Sequence, residues 1–182
     1  MSHQHTYPTD QSLADACARN DQRAQRLLYD GYVEVLYHTA YRYCFRREQV
    51  EDILQITFTK AFAAIGRFDA GKASLKTWLR RICINTTMDV LKQEGKWETQ
   101  WEEEMEIAVP PLPFEQLSVE EILRLIKELP REQRAIFNLY EIEGYTHDEI
   151  AILLGINVNS CRVYLSRAKK ELRRAIRCNE GV

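Results

Sequence analysis

Apolar positions recur along most of the chain at the three- and four-residue spacing of amphipathic helices, and no stretch shows the sustained alternation of a strand. That spacing predicts helices over 22–45, 49–65, 75–93, 118–129, 131–141, 147–154 and about 158–177. Ser74 and Ser118 precede apolar runs as N-cap residues, and Gly66 follows the second predicted helix as a C-terminal signal. The pattern therefore predicts an all-α protein.

The first two helices carry apolar stripes that indicate which side chains should face a core. The side chains expected to point inward are Leu27, Leu28, Val33, Leu36, Tyr37, Ala40, Ile53, Ile56, Phe58 and Phe62. Trp78, at helical spacing from Ile82, is also expected in the core, although an indole there could instead stack on a base.

Residues 96–117 interrupt the helical pattern. They hold the acidic run Trp101–Glu104 and three prolines, which remove backbone donors and disfavour helix. The chain is therefore predicted to form two small helical domains, 1–95 and 118–182, joined by a flexible acidic linker over 96–117. That linker is either a solubilising tether or an acidic mimic that rests on basic surfaces until it is displaced.

The net charge of −2 conceals an uneven distribution of charge. Residues 1–95 carry +2, residues 96–121 carry −7 and residues 122–182 carry +3. Within Asn157–Arg177, seven basic residues stand against the single acid Glu171. A basic C-terminal helix is thus masked in the total by the acidic middle of the chain, and it is either a solvated face or a nucleic-acid contact.

Several function classes are disfavoured by the composition. Five widely spaced cysteines and four histidines form neither a C-x-x-C pair nor a helical histidine pair, so we predict no disulfide framework, no metal and no cofactor. No apolar run approaches the roughly 20 residues of a membrane span, and the first twenty residues are polar, so we expect a cytoplasmic protein without a secretory signal. No phosphate loop or nucleophile motif indicates an enzyme or a small-molecule substrate.

The segment His147–Leu165 matches a helix-turn-helix. Ala151 is small where two helices would cross, and Gly155 lies where the turn requires a positive φ. The predicted shared core consists of Ile150, Leu154, Ile156, Cys161 and Leu165. The second helix then presents its N-terminal end to base edges, and its later Lys and Arg side chains suit phosphate contacts.

The N-terminal half contains Asp52–Phe58, Arg67–Asp69 and Ser74–Leu79, a combination that is not generic helix. It resembles the second conserved region of bacterial sigma factors, the promoter-recognition subunits of RNA polymerase. The later segments Leu129–Arg134, Glu143–Ala151 and Leu154–Ile156 resemble the fourth region. With only these two regions at this length, the layout is similar to the extracytoplasmic-function (ECF) group.

The resemblance implies three sets of contact residues. Core RNA polymerase would be bound by Glu51, Asp52 and Gln55, with Phe58 packed inside. The minus-ten promoter element would be bound and melted by Lys76, Arg80, Arg81, Asn85 and Lys92, and a flipped base would be captured by the loop Phe68–Ser74. The minus-thirty-five element would be read by Asn159, Ser160, Arg162, Val163, Arg167 and Lys169.

Three positions depart from the family pattern. Ile56 stands where an acid is common, Leu75 where Phe is frequent and Tyr164 where Arg is frequent. The first could alter the polymerase contact, and the last leaves the base contacts open. The resemblance also implies a partner beyond polymerase and promoter DNA, namely an anti-sigma protein, often membrane-bound.

A stand-alone DNA-binding regulator is the alternative to a sigma factor. Its N-terminal helices would then serve dimerisation or ligand sensing. The combination of Asp52–Phe58 with Lys76–Asn85 favours the sigma factor, because a simple repressor has no need of it.

Overall fold

The computed structural model describes residues 7–95 and 118–180, with side chains described as far as Arg177. The chain divides into two compact units, Met1–Val90 and Leu91–Val182. All regular secondary structure over the described residues is helical, as the apolar spacing predicts. The predicted acidic linker lies outside the described residues, so the boundaries 96 and 117 stay predictions.

The N-terminal unit is built from α1 (Asp10–Ala18), α2 (Gln22–Tyr41), α3 (Arg47–Ala64), a 3₁₀ turn (Ile65–Arg67) and α4 (Leu75–Gln93). Asp21 is the N-cap of α2, and its carboxylate accepts hydrogen bonds from the backbone N–H groups of Arg23 and Ala24. Helix α1 packs against α2 and the 3₁₀ turn, and α2 packs against α3.

The core of this unit confirms most of the predicted apolar stripe. Leu28, Leu36, Ala40, Ile53 and Phe58 are buried. The predictions for Leu27, Val33, Tyr37 and Phe62 are met only in part, because these side chains are half-buried, as is Trp78. The prediction for Ile56 is wrong: its side chain is 41% exposed, because it lies on the outer face of α3 between Gln55 and the buried Thr57.

The C-terminal unit contains α5 (Val119–Glu128), α6 (Arg131–Phe137), a π-helical segment (Asn138–Ile142), α7 (His147–Leu154) and α8 (Val158–Glu180). Helix α8 packs against α5, α6 and α7. Ser118 begins α5 with a capping box, because its hydroxyl accepts from the Glu121 N–H while the Glu121 carboxylate accepts from the Ser118 N–H. These bonds hold the pKa of the Glu121 carboxyl below its ordinary value.

The four cysteines with described side chains, Cys17, Cys44, Cys83 and Cys161, are free and buried. Burial raises the pKa of the Cys17 thiol to about 11. Within the described part of the chain, no cluster of His, Cys, Asp and Glu could hold a metal ion. No helix of that part is long and apolar enough to cross a membrane.

Candidate nucleic-acid and protein interfaces

The turn between α7 and α8 is set by its two flanking caps. Thr146 begins α7 with a capping box in which Glu149 is the reciprocal partner. Gly155 ends α7 with φ of 70° and ψ of 33°, the left-handed conformation that favours glycine. Asn157 then begins α8, because its Oδ1 accepts from the Ser160 N–H at 2.6 Å. The helix-turn-helix geometry predicted around Gly155 is confirmed.

The core shared by α7 and α8 is also confirmed. The five predicted members, Ile150, Leu154, Ile156, Cys161 and Leu165, are all at most 8% exposed. Ala151, at the predicted helix crossing, is buried as well. This packing fixes the rotation of α8 about its axis and so decides which α8 side chains reach solvent.

The outward face of α8 carries a polar and basic row. At 3.6 residues per turn, Asn159, Val163 and Lys170 fall within about 40° of one another, and Arg162 lies beside them. Asn159, Arg162 and Lys170 are exposed, and Val163 is half-exposed. The Arg162 Nη1 lies 3.5 Å from the Asn159 Oδ1 and donates to it. An amide and a guanidinium at the exposed N-terminal end of a helix suit base edges and phosphates.

Two other predicted α8 residues are placed differently. Ser160 is only 7% exposed, so little of its side chain is open to a ligand. The Lys169 Nζ lies 2.6 Å from the Glu141 Oε1 of the π-helical segment and 5.7 Å from the centre of the Tyr140 ring. Lys169 is therefore engaged within its own unit. Arg167 is half-buried at the flank of the exposed row.

Tyr164, which departs from the family pattern, lies on the buried side of α8. Tyr164 is 3% exposed and belongs to the core of the unit. One turn before it, the Cys161 Sγ lies 3.3 Å from the His147 Nδ1, and the His147 ring stacks on Tyr140 at 4.5 Å between centroids. Burial raises the pKa of the Cys161 thiol to about 12. These groups pack the back of the helix-turn-helix.

In the N-terminal unit, α3 exposes the three side chains predicted to bind polymerase. Glu51, Asp52 and Gln55 are all exposed and fall on one side of the helix. The Arg47 Nε donates to the Glu51 Oε1 at 2.7 Å, and this bond raises the pKa of the Arg47 guanidinium. The exposed Ile56 adjoins this polar face.

A groove of about 620 Å³ runs between α2 and α3 beside that face. Its lining residues are Tyr29, Val33, Tyr37, Arg47, Glu51, Leu54, Gln55 and Phe58. Phe58 is buried beneath it, in contact with Tyr29 at 4.6 Å and Phe62 at 6.2 Å between ring centroids. A groove with aromatic walls and a polar rim has the composition of a protein interface.

The predicted minus-ten residues on α4 fall on two sides of that helix. Arg81 and Asn85 are exposed and lie about 40° apart around the axis. Lys76 and Arg80 also lie about 40° apart, but roughly 100° or more from Arg81. Lys92 lies in the last turn of α4, past the boundary between the units. The structure therefore brings Arg81 and Asn85 together and separates them from Lys76 and Arg80.

The loop Phe68–Ser74 precedes the exposed face of α4. Phe68 is buried and meets the half-buried Trp78 edge-on at 5.7 Å between ring centroids. The Asp69 Oδ1 accepts from the Gly71 N–H at 2.9 Å. Ser74 caps α4 as predicted, because its Oγ accepts from the Thr77 N–H at 3.2 Å. The loop is thus a structured turn that leads directly into α4.

Two side chains that sequence reasoning missed contact this loop and the first residue of α4. The Asp10 Oδ2 accepts from the Leu75 N–H at 2.7 Å, and the Gln11 Oε1 accepts from the Ala70 N–H at 3.0 Å. The capping pattern of Thr9 and Ser12 could have predicted α1 itself. No local signal could have indicated contacts across 65 and 59 residues of sequence.

Each unit matches one conserved region of a known protein family. Residues 28–96 match Sigma-70 region 2, and residues 119–172 match Sigma-70, region 4. The chain belongs to the sigma-70 family, in its extracytoplasmic-function group. As a member of that family it is a transcription initiation factor that acts with RNA polymerase at promoters.

Relatives extend this similarity over nearly the whole sigma factor. The RNA polymerase sigma-H factor of Pseudomonas aeruginosa is 27% identical over 185 residues, spanning 94% of this chain and 95% of the relative. The ECF RNA polymerase sigma-E factor of Salmonella typhimurium is 28% identical over 182 residues, spanning 90% and 92%.

A solved structure has the same fold. The sigma factor RpoE of Bartonella quintana, crystallised in complex with the anti-sigma factor NepR, superposes with a TM-score of 0.52. It is 22% identical, and the alignment covers 86% of this chain and 97% of that one.

Proposed function

We propose that this sigma factor binds core polymerase through α3, binds and melts the minus-ten element through α4 and the loop before it, and reads the minus-thirty-five element through α8. The observation that carries the proposal is the pair of exposed faces in the N-terminal unit. Helix α3 presents acids and an amide at Glu51, Asp52 and Gln55, while α4 presents Arg81 and Asn85. A stand-alone repressor needs only one such surface.

The proposed polymerase surface joins a polar rim to an apolar groove. Asp52 and Gln55 can form charged and amide contacts, and the groove lined by Tyr29, Leu54 and Phe58 can take apolar side chains of the partner. The exposed Ile56 adds apolar area at the position where the family commonly has an acid. We therefore expect a contact that depends less on charge at this position than in typical members.

Charge reversal tests this surface. Asp52→Arg should weaken binding of the full-length chain to core polymerase at least tenfold, because the substitution places a like charge against a surface that accepts a carboxylate. Asp30→Arg is the matched control, because Asp30 is exposed on α2 and pairs only at the surface with Arg26 at 3.2 Å. Equal affinities for Asp52→Arg and the unaltered chain would remove Asp52 from the interface.

The proposed minus-ten surface combines strand capture with base capture. Opening a duplex costs stacking, so the protein must offset that cost by holding the unstacked strand. Arg81 can hold a phosphate, Asn85 can make two hydrogen bonds to a base edge, and the loop Phe68–Ser74 can receive a flipped base. Lys76 and Arg80 would contact the backbone from the other side of α4, and Lys92 from its last turn.

The proposed minus-thirty-five surface is the exposed row of α8. Asn159 and Val163 are its base-facing members, while Arg162 beside them and Arg167 at the flank can each reach a phosphate. Ser160 contributes chiefly through its backbone N–H, which fixes the start of the helix. We assign Lys169 to support of the unit, since its ammonium is paired with Glu141.

Two features of its cellular role follow from the family. We propose that the protein works in the cytoplasm, where polymerase and DNA are found. We also propose that an anti-sigma protein holds it inactive, since a protein of the same fold forms such a complex.

A run-off transcription assay tests the function as a whole. Purified core polymerase, the full-length chain and a pool of random promoter-like DNA should yield transcripts that share a two-element upstream motif. Polymerase alone is the control. With neither transcripts nor co-elution with core polymerase, the regulator becomes the better interpretation.

A further inference from the structure

Helix α1 contacts the loop before α4 and the first residue of α4. Its first two side chains, Asp10 and Gln11, accept hydrogen bonds from the backbone N–H groups of Leu75 and Ala70. Both side chains lie before residue 28, where the match to Sigma-70 region 2 begins. They are therefore features of this chain that the family match does not describe.

Asp10 helps to fix the start of α4. The first N–H groups of a helix have no partner within the helix, and Leu75 is the first residue of α4. The Asp10 carboxylate takes the Leu75 N–H at 2.7 Å, while the Ser74 hydroxyl takes the Thr77 N–H. A carboxylate at this end also interacts favourably with the helix dipole. Since Leu75 is fully buried, this contact anchors both the helix and its first core residue.

Gln11 holds the middle of the loop. Its Nε2 donates to the Asp15 Oδ1 at 2.9 Å, which orients the amide so that its oxygen meets the Ala70 N–H. Beside this contact, Asp69 accepts from the Gly71 N–H through its side chain and from the Lys72 N–H through its carbonyl. Hydrogen bonds within the loop therefore stabilise its turn, and the Gln11 contact joins it to α1.

Helix α1 is itself firmly held. Ala14, Ala16 and Cys17 are buried against the rest of the unit. The Thr9 hydroxyl caps its first turn by accepting a hydrogen bond from the Ser12 N–H. The backbone that carries Asp10 and Gln11 is therefore held in place.

We propose that Asp10 and Gln11 are positioning residues of the minus-ten interface, holding the loop Phe68–Ser74 and the first turn of α4 in the conformation that captures the promoter strand. The inference rests on the proposed function, in which this loop and Arg81–Asn85 contact the minus-ten element. Neither residue needs to touch DNA. They act by ordering the loop before DNA arrives, which lowers the conformational cost of binding.

The functional test uses full-length variants assembled with core polymerase on the promoter recovered from the random pool. Permanganate reactivity of unpaired thymines measures open-complex formation. Asp10→Ala should slow opening about tenfold, in line with the loss of a helix cap, while its affinity for core polymerase stays within about twofold of the unaltered chain. Asp10→Asn keeps an acceptor oxygen and should restore most of the rate. Asp30→Ala removes an exposed carboxylate elsewhere in the unit and should open normally.

A second measurement needs neither polymerase nor DNA. Amide hydrogen exchange of the free chain should accelerate at Leu75 in Asp10→Ala and at Ala70 in Gln11→Ala. Amides in the middle of α4 should keep their protection in both variants. This local pattern distinguishes a positioning role from general unfolding.

The outcomes separate the inference from the proposed function. If the unaltered chain opens its promoter and Asp10→Ala opens it equally fast, the positioning role is refuted. It is equally refuted if Asp10→Ala loses polymerase affinity and protection throughout the unit, because the residue would then only stabilise the fold. If the unaltered chain supports no promoter opening at all, the proposed function fails, and the minus-ten role fails with it.

Discussion

The basic side chains of α8 fall into two groups that should respond differently to truncation. Arg162 is exposed on the proposed DNA face, whereas Lys169 is only 23% exposed and pairs with Glu141 at 2.6 Å. We predict that Arg162→Ala weakens promoter binding without changing stability. Lys169→Ala should lower stability without weakening promoter binding.

The magnitudes follow from these surroundings. A side chain that neutralises one phosphate contributes about 0.9 to the slope of log K against log salt, so Arg162→Ala should flatten the slope by about that amount. The partly exposed Lys169–Glu141 pair contributes at most about 1 kcal/mol after screening by water, with the Tyr140 contact adding to it. For a unit of this size, about 1 kcal/mol corresponds to a shift in Tm of roughly 4–8 °C.

The assay compares both variants with the unaltered chain. Promoter affinity of the polymerase holoenzyme is measured at several salt concentrations, and thermal unfolding of the free chain is followed in parallel. Lys170→Ala, one residue along on the proposed DNA face, is the matched comparison for stability: it removes an exposed lysine and should leave Tm unchanged. If Lys169→Ala flattened the salt slope by a full unit and left Tm unchanged, Lys169 would be a phosphate contact, and the division drawn from the structure would be wrong.

Two further predictions concern stability. Gly155→Ala should lower the free energy of unfolding by about 1 kcal/mol, because Gly155 has a positive φ. Gly31→Ala lies in the interior of α2 with nothing within 4 Å of the added Cβ, so it should raise the free energy of unfolding by roughly 0.5–1 kcal/mol. Urea denaturation measures both changes, and two changes of the same sign would contradict the argument. The Glu121 pKa lies below its ordinary 4.5 because Ser118 donates to the carboxylate, so its contribution to stability is present above pH 4.5 and is lost as the pH falls through the lowered pKa. Glu121→Gln should therefore reduce the loss of stability below pH 4.5 in denaturation curves, and an unchanged pH dependence would exclude this cap as its source.

Local signals predicted the helices well where caps and spacing agreed. The bounds of α4 and α7 match those predicted, because Ser74 and Gly155 mark a start and an end that local chemistry alone enforces. The predicted bounds fail for two other helices. The helix predicted over 131–141 becomes π-helical from Asn138, a fully buried residue, and the helix predicted over 22–45 ends at Tyr41.

Side-chain orientation was harder to predict than helical structure. Ile56 is apolar and follows the helical stripe closely enough to be expected inward, yet it is exposed because α2 and the rest of the unit cover the other side of α3. Ser160 and Lys169 are polar residues of a basic helix, and only the packing of α8 shows that one is buried and the other is paired.

The sequence by itself determined the helical class, the helix-turn-helix and the family. Capping residues, glycine positions and apolar spacing act over a few residues, so a single sequence is enough to recognise them. The tertiary structure decided which polar side chains reach solvent, and it brought Gln11 to a loop, and Asp10 to the start of a helix, about sixty residues away. Contacts of that kind depend on how helices rotate and pack against one another, and no pattern confined to one segment of the chain records that rotation.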